Sequence, residues 1–374
     1  MRIILCGGGT GGHVSPAIAI AEYLKKCDPD SKILFVGREG GDENDAVVKA
    51  NISLEVIRVK GLMRNFSADT VKSVAIALHA KEKAHGIIKK FKPDAVLGTG
   101  GYVSWPVMRA AQEMKIPTLL HESNATPGLV TKLLAPRCDR ILLNFSGSDE
   151  GFKRKEKIRI VGNPVRDSFS TLTRSEVRRM LEIPEKDFLI SSSGGSGGSE
   201  KINSAAIRLM TSQSFYNKHV RHIHSTGKKY YADLSREHPD FISDESRCRI
   251  LPYVDNMAAV MAASDIVISR CGAMTLSELS ACGACAILIP SPNVTGNHQY
   301  KNAKLFCDAG AAVMIEDSAL NERTLTDAVR RLLADEKLRK SLSRKIRSFY
   351  QKNSAELIWG ELCAVIDSKQ KPEG

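Results

Sequence analysis

Ile3-Ile4-Leu5-Cys6-Gly7-Gly8-Gly9-Thr10-Gly11-Gly12-His13 joins an apolar run to a glycine loop, and a helical stretch opens near Ser15-Pro16. Gly7, Gly9 and Gly12 satisfy G-x-G-x-x-G between a strand and a helix. Glycines let backbone turn sharply and approach a phosphate closely, and a helix start offers N–H groups and a positive dipole end. The loop is therefore expected to hold an anion. A dinucleotide is one candidate occupant. His13 weighs against it, because a dehydrogenase gains nothing from a titratable group there. A second loop, Gly98-Thr99-Gly100-Gly101, suits a pyrophosphate-bearing ligand better.

Outward from this stretch, short Ile/Val/Leu runs alternate with helical segments. Strands are expected at 3–6, 32–36, 54–59, 95–98, 118–121, 140–144 and 158–161. Apolar runs without alternation, separated by helices, indicate a parallel sheet covered on both faces. Gly162-Asn163-Pro164 marks a boundary. The pattern restarts with strands at 188–192, 220–225, 249–253, 266–269, 286–289 and 312–315, then a helical tail from 321 to 367 broken near Asn353. The fold class is α/β, with two doubly wound parallel-sheet domains. The expected division is 1–162, 163–350, and a final helix and tail over 351–374 that packs back on the first domain.

The bulk numbers agree. A chain of 374 residues exceeds a single core. Net charge is +12, and residues 1–162 carry 25 Lys+Arg against 17 Asp+Glu. That excess suggests an anionic partner, while 6% aromatics and no RNA-binding signature argue against nucleic acid. Nine scattered cysteines give no disulfide framework, and Cys282-Gly-Ala-Cys285 lacks a second pair for zinc. The chain opens directly into a strand and contains no span-length apolar run, so the cytosol is the expected compartment.

The second half repeats the loop logic. Gly194-Gly195-Ser196-Gly197-Gly198 follows a strand and can seat a phosphate on a helix start. Arg270-Cys271-Gly272-Ala273-Met274-Thr275-Leu276-Ser277-Glu278 does the same, and Glu278 can either accept ribose hydroxyls or cap the helix. Gln299 and Asn302 lie i, i+3 on a later helix, where their amides can read sugar hydroxyls or simply be solvated.

Taken in order, GGGTGGHVSPAIA, GTGGYVSWP, HESNATPGL, GNPVR, GGSGGS, RCGAMTLSEL and IPSPNVTGNHQYKNA resemble the MurG family of peptidoglycan N-acetylglucosaminyltransferases. The resemblance implies a GT-B fold, two Rossmann-like domains facing across a cleft, with no metal or other cofactor. It implies that the second domain binds UDP-N-acetylglucosamine. Ser196 would meet the donor phosphates, and Val254 would meet uracil through its backbone. Ala273, Met274, Thr275, Leu276, Ser277 and Glu278 would line the donor, with Glu278 on the ribose. Gln299 and Asn302 would hold the sugar, and Asn124 and Arg166 would reach it from the other side. Gly8, Gly9, Gly100, Gly101 and Tyr102 would face the diphosphate of lipid I, with Thr10, Gly11 and Gly12 also near the donor sugar. Trp105, Gly197 and Cys285 depart from the family's usual residues.

The reaction implied is inverting transfer of N-acetylglucosamine to lipid I, forming lipid II. Inversion in one displacement needs a base for the acceptor hydroxyl and stabilisation of the departing diphosphate. His13 is the candidate base, with Glu122 and Asp139 as weaker alternatives. No D-x-D-like pair suggests a metal. The mixed apolar and basic segment 59–66 and the helix through 71–78 suit an anionic membrane surface. Alternatives are a UDP-N-acetylglucosamine 2-epimerase, another UDP-sugar-dependent glycolipid glycosyltransferase, or a nucleotide-binding module without activity.

Overall fold

The computed structural model describes residues 1–9, 11–41, 44–59, 68–212, 219–243 and 246–370. Thr10 and residues 60–66 of the expected membrane segment 59–66 lie outside them. The chain forms two compact units, Met1–Val165 with Gln351–Gly374, and Arg166–Tyr350.

In the first unit the elements are β1 (Arg2–Gly7), α1 (Gly11–Cys27), β2 (Lys32–Arg38), α2 (Asn44–Lys49), β3 (Ser53–Ile57), α3 (Ala68–Phe91), β4 (Ala95–Gly100), α4 (Ser104–Glu113), β5 (Thr118–Glu122), α5 (Leu129–Leu134), β6 (Arg140–Leu143) and β7 (Ile158–Ile160). All seven strands are parallel, in the order β3-β2-β1-β4-β5-β6-β7. The alternation of side chains explains the unbroken apolar run of β1. Ile3 and Leu5 enter one core with residues of α1, while Ile4 and Cys6 enter the other with residues of α3 and α4.

In the second unit follow α6 (Ser168–Thr171), α7 (Arg174–Met180), β8 (Phe188–Ser193), α8 (Glu200–Thr211), β9 (Val220–Ser225), α9 (Lys228–Glu237), β10 (Cys248–Leu251), α10 (Met257–Ala263), β11 (Ile266–Ser269), α11 (Ala273–Cys282), β12 (Ala286–Leu288), α12 (His298–Asp308), β13 (Val313–Met314), α13 (Glu322–Ala334) and α14 (Glu336–Arg347). The six strands are parallel, in the order β10-β9-β8-β11-β12-β13. The tail is interrupted at Asp335, whose carboxylate accepts from the N–H of Leu338 and so starts a new helix. The last helix, α15 (Ser354–Gln370), returns to the first unit. There Ile358, Leu362 and Val365 enter the core that holds the apolar face of α1.

Strand order reverses between β1 and β4 in one sheet and between β8 and β11 in the other. Open parallel sheets bind ligands beyond the carboxyl ends of strands at such points. All four glycine loops found in the sequence sit there. Cys282 is partly exposed and Cys285 buried, and both are free thiols.

Candidate active site

At the first switch point, α1 begins at Gly11, earlier than the Ser15-Pro16 start that the sequence suggested. His13 therefore lies in the first turn of the helix rather than in the loop. Two contacts with Thr99 hold it. The Thr99 hydroxyl donates to the His13 carbonyl at 2.7 Å, and His13 Nδ1 lies 2.9 Å from the Thr99 carbonyl oxygen. A carbonyl only accepts, so Nδ1 carries a proton, and in the neutral imidazole Nε2 is then the basic nitrogen. Gly100 has φ +106°, and a Cβ there would lie 2.7 Å from His13 Nδ1. Glycine at 100 is thus what admits the ring.

The neighbouring glycines divide into two roles. α1 starts at Gly11, and the N–H groups at a helix start point out along its axis, beyond the loop. The N–H of Gly100 donates to Ser104 Oγ at 3.2 Å, which shapes the loop. A Cβ on Gly101 would collide with the Gly8 carbonyl oxygen, which packs the two loops backbone to backbone. Tyr102 and Trp105 are partly buried against the α3–α4 core.

The two alternative bases do not have the form of bases. Glu122 is buried and its carboxylate accepts four bonds, from Asn124 N and Nδ2, Gly128 N and Thr131 Oγ1. It organises the loop after β5, and with it the half-buried Asn124. Asp139 accepts from Thr118 N at the amino end of β5, the opposite end of the sheet from the glycine loops. His121 is fully buried; burial pushes its imidazole below the usual range, and its Nε2 lies 2.9 Å from the Gly162 carbonyl oxygen.

At the second switch point, Ser196 is exposed on the loop before α8. Gly195 and Gly198 have positive φ, and Gly198 abuts Gly227 so closely that neither accepts a side chain. Val254 follows β10 with its side chain buried, which leaves its backbone as the group a base could meet. Gly272 caps α11 without a side chain, so the first-turn N–H groups of α11 have no capping side chain.

Helical periodicity sorts the segment from Ala273 to Glu278. Met274, Thr275 and Glu278 share the accessible face, whereas Leu276 and Ser277 turn inward. The Ser277 hydroxyl donates to the Ala273 carbonyl at 3.0 Å. The side chains of Leu276 and Ser277 therefore pack inward, and their backbone is what they could offer a donor. Glu278 lies beyond the first turn and is no capping-box acid. Burial raises its carboxyl to about 7, and the Arg166 guanidinium opposes that shift only in part. Arg166 belongs to the same unit as Glu278.

Gln299 accepts through Oε1 from the N–H groups of Ser291 (2.9 Å) and Cys271 (3.2 Å), tying together the loops after β11 and β12. Asn302 is 0% exposed and donates to the Cys271 carbonyl at 3.2 Å. Through that bond it supports the Cys271 loop.

Arg270 and Asp317 escaped the sequence reading. Arg270 donates from Nη2 to Ser199 Oγ (2.5 Å) and from Nη1 to Asp317 Oδ1 (2.7 Å). Burial works to raise the Asp317 carboxyl, but its bonds from Arg270 and Lys201 outweigh this and hold it below its ordinary value. The only sequence signal was a cation at the mouth of a glycine loop.

The family 28 glycosyltransferase N-terminal domain matches residues 3–143, and the family 28 C-terminal domain matches residues 189–358. The chain is 39% identical to the UDP-N-acetylglucosamine–N-acetylmuramyl-(pentapeptide) pyrophosphoryl-undecaprenol N-acetylglucosamine transferase of Acetivibrio thermocellus, over 99% of both chains. The chain belongs to the MurG family of glycosyltransferases. The Clostridioides difficile member is 38% identical over 99% of this chain and 90% of its own. The crystal structure of Acinetobacter baumannii MurG superposes with a TM-score of 0.77 at 25% identity, covering 97% of this chain and 99% of that one. The MurG-family fold, GT-B, extends to more distant proteins. A putative UDP-N-acetylglucosamine 2-epimerase from Listeria monocytogenes aligns with a TM-score of 0.68 at 13% identity, over 100% of this chain and 98% of that one, which is likeness of fold alone.

Proposed function

We propose that the chain transfers N-acetylglucosamine from UDP-N-acetylglucosamine to the muramyl O4 of lipid I, forming lipid II with inversion at the anomeric carbon. The observation that carries this reading is His13, held through Nδ1 and its own carbonyl by Thr99 at the β1–β4 switch point. In the step, O4 attacks the anomeric carbon as the bond to the diphosphate breaks. UDP leaves with that electron pair, and the O4 proton passes to Nε2 of His13.

The departing charge is met by the first-turn N–H groups of α8 and α11 and by Arg166. Glu278 takes the ribose hydroxyls, and the backbone at Val254 takes the uracil. Met274 and Thr275 line the donor, with Ser196 on its phosphates. Gly8, Gly9, Gly11 and Gly12 would face the lipid diphosphate and the donor sugar.

Among the described residues no helix is long and apolar enough to cross a membrane. The acceptor would be reached from the cytoplasmic face of the membrane by peripheral docking. Leu129 (46% exposed) and Leu133 (51%) lie i, i+4 on α5 beside the exposed Lys132, which suits an anionic lipid surface.

The test is incubation with UDP-N-acetylglucosamine and a short-chain lipid I analogue. Stoichiometric UDP and a β-linked disaccharide are expected, with no UDP formed without acceptor. Formation of UDP-N-acetylmannosamine, or transfer only to a different glycolipid acceptor, would overturn it.

A further inference from the structure

Beneath the loop that precedes α8 runs a chain of buried polar groups unrelated to any glycine motif. Ser192 on β8 pairs in register with His224 on β9. Ser192 Oγ lies 2.7 Å from His222 Nε2 and 2.7 Å from His224 Nδ1. His224 Nε2 lies 3.1 Å from Asn203 Oδ1, and Asn203 Nδ2 donates to the Thr226 carbonyl at 3.0 Å. All five residues are buried.

The protons of this chain have one consistent order. The Thr226 carbonyl requires the Asn203 nitrogen, which turns Oδ1 toward His224. His224 Nε2 must then carry a proton, so its Nδ1 accepts the Ser192 hydroxyl. The Ser192 oxygen in turn accepts from His222 Nε2. The links from His222 to Asn203 each donate toward α8, and Asn203 on α8 donates onward to Thr226. Burial depresses both imidazoles, which keeps them neutral and preserves that order.

The two ends of the chain are what matter for the ligand. Asn203 lies in the first turn of α8. Thr226 precedes Gly227, whose backbone abuts Gly198 of the phosphate loop. On the other side Arg270 holds Ser199, whose hydroxyl caps α8 by accepting from the Ile202 N–H at 3.4 Å. The helix start is thus clamped from both flanks, by groups that would touch no part of a nucleotide sugar.

We propose that Ser192, His222, His224 and Asn203 are positioning residues that fix the α8 N-terminus for a nucleoside diphosphate, so that they govern recognition of its phosphates and not of its nucleoside. The inference rests on the reading of the second unit as the donor side. Hydrogen bonds from a helix start depend steeply on the placement of its N–H groups, whereas the Val254 and Glu278 contacts lie on other loops.

The experiment is calorimetric titration of the full chain with UDP and with uridine, in wild type and in Ser192→Ala, alongside donor KM and kcat. Ser192→Ala should weaken UDP about tenfold, the effect of one misplaced hydrogen bond of roughly 1.4 kcal/mol, and leave uridine within about twofold. Donor KM should rise more than kcat falls, and Ser192→Thr, which keeps the hydroxyl, should recover most of the loss. Equal weakening of UDP and uridine, or no weakening in a folded Ser192→Ala, would overturn the proposal. If Ser192→Ala does not fold, Asn203→Ala on the helix side is read by the same criteria. A wild type that binds UDP no better than uridine would overturn the donor reading itself, and the inference with it.

Discussion

His13 and Thr99 grip each other in both directions, side chain to backbone, across 86 residues of sequence. The pair fixes the tautomer of the imidazole and joins the loops after β1 and β4. Removing the imidazole should therefore act on chemistry and not on the donor. His13→Ala is expected to lower kcat by about 10²–10⁴ while UDP affinity changes less than about threefold. Steady-state kinetics with calorimetry checks this, and unchanged kcat would refute the base.

Gly100 gives a second, independent handle on the same ring. A methyl group at Gly100 would press on His13 Nδ1, and φ +106° is itself strained for alanine. Gly100→Ala should reduce kcat by at least about tenfold, with Gly128→Ala, at an open position, as the neutral control. Equal activities would show that the ring position does not matter.

Glu278 predicts a pH profile. Its folded carboxyl is raised from 4.5 to about 7, chiefly by burial. Between those values the folded chain holds a proton that the unfolded chain releases. Its contribution to stability is complete below pH 4.5 and is lost as pH rises through 7. Ribose hydroxyls need the carboxylate as acceptor, so UDP affinity should increase as pH rises through about 7. Glu278→Gln should flatten that increase and stabilise the free protein at pH 8. Parallel wild-type and mutant profiles between pH 6 and 8.5 would exclude Glu278 as the titrating group.

Arg178 is the structural counterpart. It is 0% exposed and donates to the carbonyls of Ala263, Pro184, Glu185 and Asp187 and to the Asp265 carboxylate. Arg178→Met leaves those acceptors without their donor and should cost the second unit roughly 3–5 kcal/mol. Urea unfolding followed by a probe in that unit measures it. A loss under about 1 kcal/mol would mean that water replaces the guanidinium freely.

The strands, the glycine loops and the order of the motifs were legible in the amino-acid sequence because each rests on local rules. A run such as Ile3-Ile4-Leu5-Cys6 is apolar throughout because both its faces are covered, and a glycine loop between strand and helix announces itself by composition. The start of α1 was not legible. Pro16 looks like a first helical residue, but the contacts of His13 with Thr99 hold an earlier turn in place. The inward turn of Leu276 and Ser277 follows from helical phase, which a motif read as a string does not contain.

The α/β class, the two-sheet organisation, the family and the neighbourhood of each loop follow from the amino-acid sequence alone. The contacts of each residue there came only from three dimensions: the four bonds on Glu122, the burial of Asn302, Arg166 as a neighbour of Glu278, and Ser192, His222 and His224 as a chain beneath α8. The physical reason is range. Periodicity and turn chemistry act over a few residues, whereas hydrogen-bond partners such as His13 and Thr99, or Ser199 and Arg270, are 86 and 71 residues apart and meet only because the sheets place β1 beside β4 and β8 beside β11.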